Sequence, residues 1–347
     1  MEWMIYGANG YTGRMMVEEA VRRGLRPVLA GRSAASLQDI AAPHGLPVRA
    51  FSLDDAQAVR SGLNGIGLVL HCAGPFSATC APMLEACLDV GAHYLDITGE
   101  IDVFAHCHAQ DARAKEKGVV VLPGSGFDVV PTDCLAAQLK RELPAAQSLV
   151  LAFEAGGGPS PGTAKTSVEG LGSGGRARIN GAMTRVPLAW KTRTFERDGE
   201  QRFAMTIPWG DVYTAFVSTG IPNIEVYMGV PPKTAARLGR MRLLGPLLGL
   251  SPVQSFLKAQ VARRVRGPSE NTRSKTGCVV WGEARDAGGR EVRRRLRTPN
   301  GYEITVTASL GIVERLLGGE RPAGGYYTPS KLMGANYVLG LPGVTLD

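Results

Sequence analysis

The residues of this chain whose types and spacing suit chemistry gather at the ends of short apolar runs. The first set is Gly7-Ala8-Asn9-Gly10-Tyr11-Thr12-Gly13. An apolar run precedes it and a helical pattern follows at once, which predicts strand, glycine turn, helix. That arrangement receives a pyrophosphate. Gly7 permits the sharp exit from the strand, Gly10 lets the anion approach without meeting a Cβ, and Gly13 lets the helix pack close to the strand. The amides of the first helical turn then face the charge. The second set is Gly31-Arg32-Ser33 at the end of the next apolar run. A site selective for NAD usually carries Asp or Glu there, on the ribose 2′-hydroxyl. Here no carboxylate occurs until Asp39. A guanidinium at Arg32 and a hydroxyl at Ser33 suit a 2′-phosphate, so NADP is expected over NAD. Stacking of Arg32 on the adenine is the alternative role.

Chemistry on such a dinucleotide then needs a group that handles one proton. Asp128, Glu100 and Lys165 are the catalytic candidates taken forward, with His71 and Tyr227 as further acids; helix capping and solvation are the competing roles for the first three. His106-Cys107-His108 stand consecutively on a predicted helix and so point in different directions. With no Cys-x-x-Cys partner, no metal site is expected. The clusters Arg263-Arg264-Val265-Arg266 and Arg293-Arg294-Arg295-Leu296-Arg297 lack interleaved aromatics, so nucleic acid is not an expected partner. The second cluster reads as an exposed strand whose charges protect a sheet edge.

The elements that position these residues are legible as strands alternating with helices. Strands are expected around residues 4–6, 26–31, 48–53, 67–71, 93–97 and 119–122, with helices after 13, 33–44, after 54 or 55, 80–91 and 101–117. Asp54 or Asp55 caps the third helix. Six strands at this spacing predict an α/β fold, a Rossmann-type doubly wound parallel sheet, with its loops converging at the carboxyl ends of the strands. After about residue 145 the pattern turns to short β-rich runs, at 148–153, 192–195, 215–218 and 302–307. These predict a second α+β domain with a mixed or antiparallel sheet. The expected division is 1–125 for dinucleotide binding, completed by the tail 331–347, and 126–330 for substrate and oligomerisation. A basic, leucine-rich insert runs from about Lys233 to Arg266, with Arg237, Arg240, Leu243, Leu244, Leu247 and Leu248 at helical spacing. It reads either as a flap or membrane-surface contact or as a helical pair packed on the second domain.

Four motifs in order carry a family resemblance: the Gly7–Gly13 turn, Cys72-Ala73-Gly74-Pro75-Phe76, Tyr94-Leu95-Asp96-Ile97-Thr98-Gly99-Glu100, and Gly124-Ser125-Gly126-Phe127-Asp128-Val129-Val130-Pro131-Thr132-Asp133. Together they resemble the saccharopine dehydrogenase-like oxidoreductases, and most the branch with the trans-acting enoyl reductases of bacterial lipid synthesis. His71 and Cys80 depart from the pattern, standing where Asn and Gly are expected. The resemblance implies that Cys72, Ala73, Gly74, Pro75 and Phe76 pass along the ribose and nicotinamide. Thr98 and Gly99, with 124–128, complete the floor under the reacting ring. The resulting expectation is an NADP-dependent oxidoreductase reducing a C=C or C=N bond of an acyl, polyketide or lipid-like substrate in an interdomain cleft. An imine dehydrogenase of the amino-acid type and a non-catalytic NADP sensor are the alternatives. A homo-oligomer is expected. The fingerprint begins within ten residues of Met1 and the six cysteines show no paired spacing, so a cytoplasmic location with reduced thiols is expected, in part at a membrane surface if the insert docks there. The net charge of +8 agrees with an anionic ligand and with several other partners.

Overall fold

A computed structural model describes residues 1–172, 174–241, 245–319 and 322–347. Its strands, in chain order, are β1 (Glu2–Tyr6), β2 (Val28–Gly31), β3 (Val48–Ala50), β4 (Ile66–His71), β5 (His93–Asp96), β6 (Val120–Leu122), β7 (Ala146–Ala155), β8 (Gly175–Ile179), β9 (Ala182–Val186), β10 (Thr192–Arg197), β11 (Glu200–Thr206), β12 (Asn223–Gly229), β13 (Cys278–Asp286), β14 (Glu291–Thr298), β15 (Gly325–Tyr326) and β16 (Thr345–Leu346). They form two sheets in two compact units, residues 1–130 with 302–333 and residues 131–301 with 334–347.

The first sheet runs β15-β6-β5-β4-β1-β2-β3, every pair parallel. Its strands read as unbroken apolar runs because both faces are covered: Met4, Ile5, Leu29, Leu68, Leu70, Leu95 and Val121 have no solvent exposure. Burying each such side chain contributes about 1.5–3 kcal/mol. In register, Tyr6 pairs with Ala30 and with His71, and His71 with Asp96. The strand ends therefore line up, and the strand order reverses between β1 and β4. That is the switch point where ligands bind in open α/β sheets.

Several local expectations hold and several are corrected. Asp55 caps the helix Ala56–Gly62, accepting from Gln57 and Ala58 N–H at 2.9 and 3.1 Å, while Asp54 accepts from the Ser52 hydroxyl at 2.8 Å. The fourth helix begins earlier than expected, at Phe76, and runs to Val90. The segment 101–117 divides into Ile101–Ala109 and Asp111–Lys117. The 302–307 run is the start of a helix, Gly301–Leu317, and not a strand. Its β-branched residues mislead in a six-residue window. Over the full length Ile304, Ala308, Ile312 and Leu316 recur every fourth position and are all buried. Likewise 215–218 lies in the helix Asp211–Thr219, where Val212, Ala215 and Thr219 are buried. The tail also differs from expectation. Tyr302–Met333 belongs to the first unit and adds β15 as a seventh strand, whereas 334–347 belongs to the second. Gly334, at φ +89°, takes the chain off its helical path. Beyond it Gln138 donates to the Ala335 carbonyl at 2.9 Å, and β16 pairs with β14.

The second sheet is mixed. β10-β11-β12-β7-β13-β14-β16 are neighbours, with β7 and β12 parallel; β8 attaches at β12, and β9 pairs with β8. The arginines of β14 do not guard a free edge, because β16 lies outside it and acids partner them: Arg293 with Glu283, Arg295 with Asp347, Arg297 with Asp198 and Asp347. The insert is helical, at Pro232–Met241, Gly245–Leu248 and Ser251–Arg264; Leu243 and Leu244 lie outside the described residues. Among the described residues, no helix is long and apolar enough to cross a membrane.

Candidate functional site

The turn after β1 has the geometry a bound phosphate group requires. Gly7 adopts φ +84°, and its N–H donates to the Ala30 carbonyl at 2.8 Å. A Cβ on Gly13 would lie 2.1 Å from the Gly7 carbonyl oxygen, so only glycine lets this helix sit so close to the strand. The helix Tyr11–Arg22 starts at Gly10 with no side-chain cap and no acid in its first turn. Its N-terminal amides are thus presented to an anion along with the positive end of the helix dipole. The Asn9 amide oxygen lies beside Gly31, within 3.4 Å of where a Cβ would stand, which places this turn against the end of β2. There Arg32 is exposed. Ser33 serves a structural purpose, since its hydroxyl caps the helix Ala34–Ala41 by accepting from Ser36 N–H at 3.4 Å.

The loop after β4 packs on the same turn. A Cβ on Gly7 would stand 2.8 Å from Ala73 N, and Cys72 N–H donates to the Tyr6 carbonyl at 2.8 Å. The carbonyls of Ala73 and Pro75 accept from the Thr79 hydroxyl at 2.7 and 3.1 Å. Burial and, secondarily, the Asp96 carboxylate push the Cys72 thiol above its ordinary range. His71 is fully buried among Tyr6, Phe76 and Tyr94. Burial drives its pKa down to about 3, against a smaller opposing pull from the Thr79 backbone. It stays a neutral imidazole and is no proton donor at neutral pH.

Glu100 turns out to be a clamp. Its two carboxylate oxygens accept from the N–H groups of Phe76 and Ser77 at 2.9 and 2.7 Å, so it holds the β5 loop onto the first turn of the helix Phe76–Val90. A carboxylate at a helix N-terminus is stabilised as the anion. This describes a positioning group better than an acid.

Asp96, at the end of β5, is not among the expected site residues. It is fully buried. Its Oδ1 accepts from Thr98 and Gly124 N–H, both at 2.9 Å, and its Oδ2 from the Tyr94 hydroxyl at 2.7 Å. Burial raises its pKa to about 6, and those hydrogen bonds limit the rise. Its backbone carbonyl accepts from Ser125 N–H and Oγ at 2.7 and 2.8 Å. Asp96 therefore fixes the β5 and β6 loops to one another. The only sequence signal is an acid closing a buried strand just before a Thr-Gly turn. Cys80 and Cys107 stand behind it, their sulfurs 3.5 Å apart, while His106 is exposed and His108 stacks on Tyr326.

Asp128 lies on the loop after β6. A Cβ on Gly99 would come within 2.6 Å of its Oδ2, so Gly99 makes room for this carboxyl. Among the described residues no hydrogen bond reaches the carboxyl. It is partly exposed to solvent, yet set deep enough that desolvation pushes its pKa up to about 8. At neutral pH it holds a proton next to the Thr98-Gly99-Glu100 turn. A perturbed acid in such a place is where proton transfer is to be sought.

The remaining candidates lie in the second unit. Lys165 is half-buried on the helix Pro161–Gly170. The Tyr227 hydroxyl donates to Glu225 at 2.6 Å, and burial and that carboxylate both push its pKa up, so it is poorly suited to give up a proton. Asp133 is buried and accepts a short hydrogen bond from the Ser218 hydroxyl. The structure thus gathers the glycine turn, Arg32, the Cys72–Phe76 loop, Thr98, Gly99, Glu100 and Asp128 in one unit, and places Lys165 in the other.

Comparisons with known proteins bear on the fold and on the first unit's domain type. Residues 3–122 match the family model of the saccharopine dehydrogenase NADP binding domain. The saccharopine dehydrogenase-like oxidoreductase of Mus musculus is 28% identical over 201 residues, 50% of this chain and 47% of that protein. The trans-acting enoyl reductase of Mycobacterium leprae is 31% identical over 150 residues, 40% of this chain and 35% of that protein. The matched segments thus span about half or less of these curated relatives. The apo saccharopine dehydrogenase (L-Glu forming) of Saccharomyces cerevisiae superposes with a TM-score of 0.68 at 10% identity, covering 100% of this chain and 99% of that one, a likeness of fold. Residues 3–122 are thus a domain of the saccharopine dehydrogenase NADP-binding type, and the chain carries the saccharopine dehydrogenase fold along its length.

Proposed function

We propose that this chain is an NADP-dependent oxidoreductase that reduces a polarised C=C bond of an acyl or lipid-like substrate, with Asp128 as the proton donor. The observation that carries the reading is Asp128 itself: a carboxyl without a hydrogen-bond partner among the described residues, partly open to solvent, and protonated at neutral pH. When bound, the nicotinamide cofactor supplies the hydride. The protein's part is the rest. The glycine turn and the first amides of the helix Tyr11–Arg22 hold the pyrophosphate. Glu100 and Asp96 fix the loops under the reacting bond. Asp128 gives its proton to the carbon left with the electron pair and is reloaded from solvent. Similarity to proteins named trans-acting enoyl reductase supports C=C over C=N.

For the cofactor, the matched domain is named for NADP, and Arg32 stands exposed at the ribose-reading position with no acid beside it in sequence. Titrating NADPH and NADH into wild type and Arg32→Asp tests this. NADPH is expected to bind wild type more tightly, with the preference shrinking or inverting in the variant. Equal binding by wild type would remove Arg32 from the role. For the reaction, the test is NADPH consumption with a panel of 2-enoyl thioesters and cyclic imines. Turnover of the thioesters is expected. Tight NADPH binding with no turnover of either class would favour a sensor, and turnover of imines alone an imine dehydrogenase.

A further inference from the structure

The chain's net charge of +8 has a single address. Between Pro232 and Arg266 there are eight basic residues and no acid, which leaves 31 basic and 31 acidic residues for the rest. Among the described residues Lys258 pairs with Glu169 at 2.6 Å, whereas Lys233, Arg237, Arg240, Arg263, Arg264 and Arg266, all exposed, form no ion pair. The same segment carries three large apolar side chains in the open, Leu247, Leu250 and Phe256, at 56%, 50% and 62% exposure. Elsewhere among the described residues such side chains are scattered singly; here they fall within ten positions.

One side of the segment is anchored. The helix Ser251–Arg264 lies on Pro161–Gly170, with Gln254 donating to the carbonyls of Val168 and Leu248 at 3.0 and 2.6 Å, besides the Lys258–Glu169 pair. Gln254, Lys258 and Val261 follow one helical stripe. Phe256, Ala259 and Arg263 follow another, turned away from it. On Pro232–Met241, Ala235 is buried while Lys233, Arg237 and Arg240 face outward. The helical-pair reading of the insert therefore describes its inner side, and the outer side presents unpaired cations with exposed leucine and phenylalanine.

We infer that this outer side docks on an anionic phospholipid surface. The unpaired arginines and lysines meet lipid phosphates, and Leu247, Leu250 and Phe256 enter the boundary between headgroups and acyl chains. A nucleic acid would satisfy the cations but give the three apolar side chains nothing to enter. The inference rests on this surface alone and not on the reaction proposed above.

The test is flotation of the full-length protein with vesicles of phosphatidylcholine alone or of phosphatidylcholine mixed with phosphatidylglycerol. Two variants accompany wild type: Arg237→Glu with Arg264→Glu, and Leu250→Ser with Phe256→Ser, each with a melting curve to verify its fold. Wild type should float with the mixed vesicles and not with the neutral ones, and added salt should weaken binding. The charge variant should partition at least roughly 10-fold less, and the apolar variant should also lose binding. No flotation, equal flotation with both vesicles, variants that float like wild type, or displacement from vesicles by duplex DNA at equal phosphate would each overturn the inference.

Discussion

Asp128 and Glu100 are both loop carboxylates of the first unit, and their surroundings give them opposite roles. Glu100 accepts two amide hydrogen bonds and holds two loops together, while Asp128 accepts none among the described residues and keeps its proton. The pH consequence follows from the direction of the shift. The Asp128 pKa is raised to about 8 from 3.8, so the native chain holds this proton more tightly than the unfolded one. Its contribution to stability is fully present below the unfolded value and is lost as pH rises through the native one. In Asp128→Asn that loss is removed, so melting temperature relative to wild type should rise between pH 5 and 9. On the mechanism proposed above, the same proton is the one used in turnover. Wild-type kcat should fall above about pH 8, and Asp128→Asn should lower kcat by roughly 10²–10⁴-fold and erase that limb of the profile. An unchanged profile would move the donor elsewhere.

At the scale of elements, the glycine turn is the tightest constraint. Gly13→Ala would drive a methyl group into the Gly7 carbonyl, 2.1 Å away, with only backbone to yield. We expect a stability loss of about 1–3 kcal/mol by thermal melting, and loss of NADPH binding as the helix is pushed off the strand. Gly170→Ala, where a Cβ meets nothing within 4 Å, is the control and should leave cofactor binding intact. What the sequence makes legible here is what is local. Gly7, Gly10 and Gly13 lie within one turn, and the parallel strands read directly as buried apolar runs. Glu100 is legible as a candidate but not in its role, because its amide partners, Phe76 and Ser77, stand more than twenty residues upstream. Asp96 escapes notice for the same reason, since Gly124 reaches it only once β5 and β6 pair. The helix Gly301–Leu317 reads as a strand because its first residues favour one by propensity, and only its longer stripe of buried positions reveals the helix.

Over the whole molecule, the first unit is built from two separated stretches of chain. Residues 1–130 supply six strands, and 302–333 supply the seventh. The Ser309 hydroxyl meets Ser125 Oγ at 2.9 Å, and the Thr305 hydroxyl accepts from Phe127 N–H at 3.0 Å, so the late stretch supports the very loop that carries Asp128. A fragment ending at residue 300 should therefore fail to bind NADPH and elute as aggregate in size-exclusion chromatography, although it retains every residue of the glycine turn. The pairing of β6 with β15 also sets a timetable for synthesis. Some two hundred residues separate Leu122 from Gly325, and at about 5–20 residues per second the ribosome takes on the order of 10–40 s to make them. Throughout that interval the outer edge of β6, whose valines are fully buried once folding is complete, has no strand beside it. The newborn chain thus spends that wait with an unpaired strand edge, open to pairing with another chain until β15 is made.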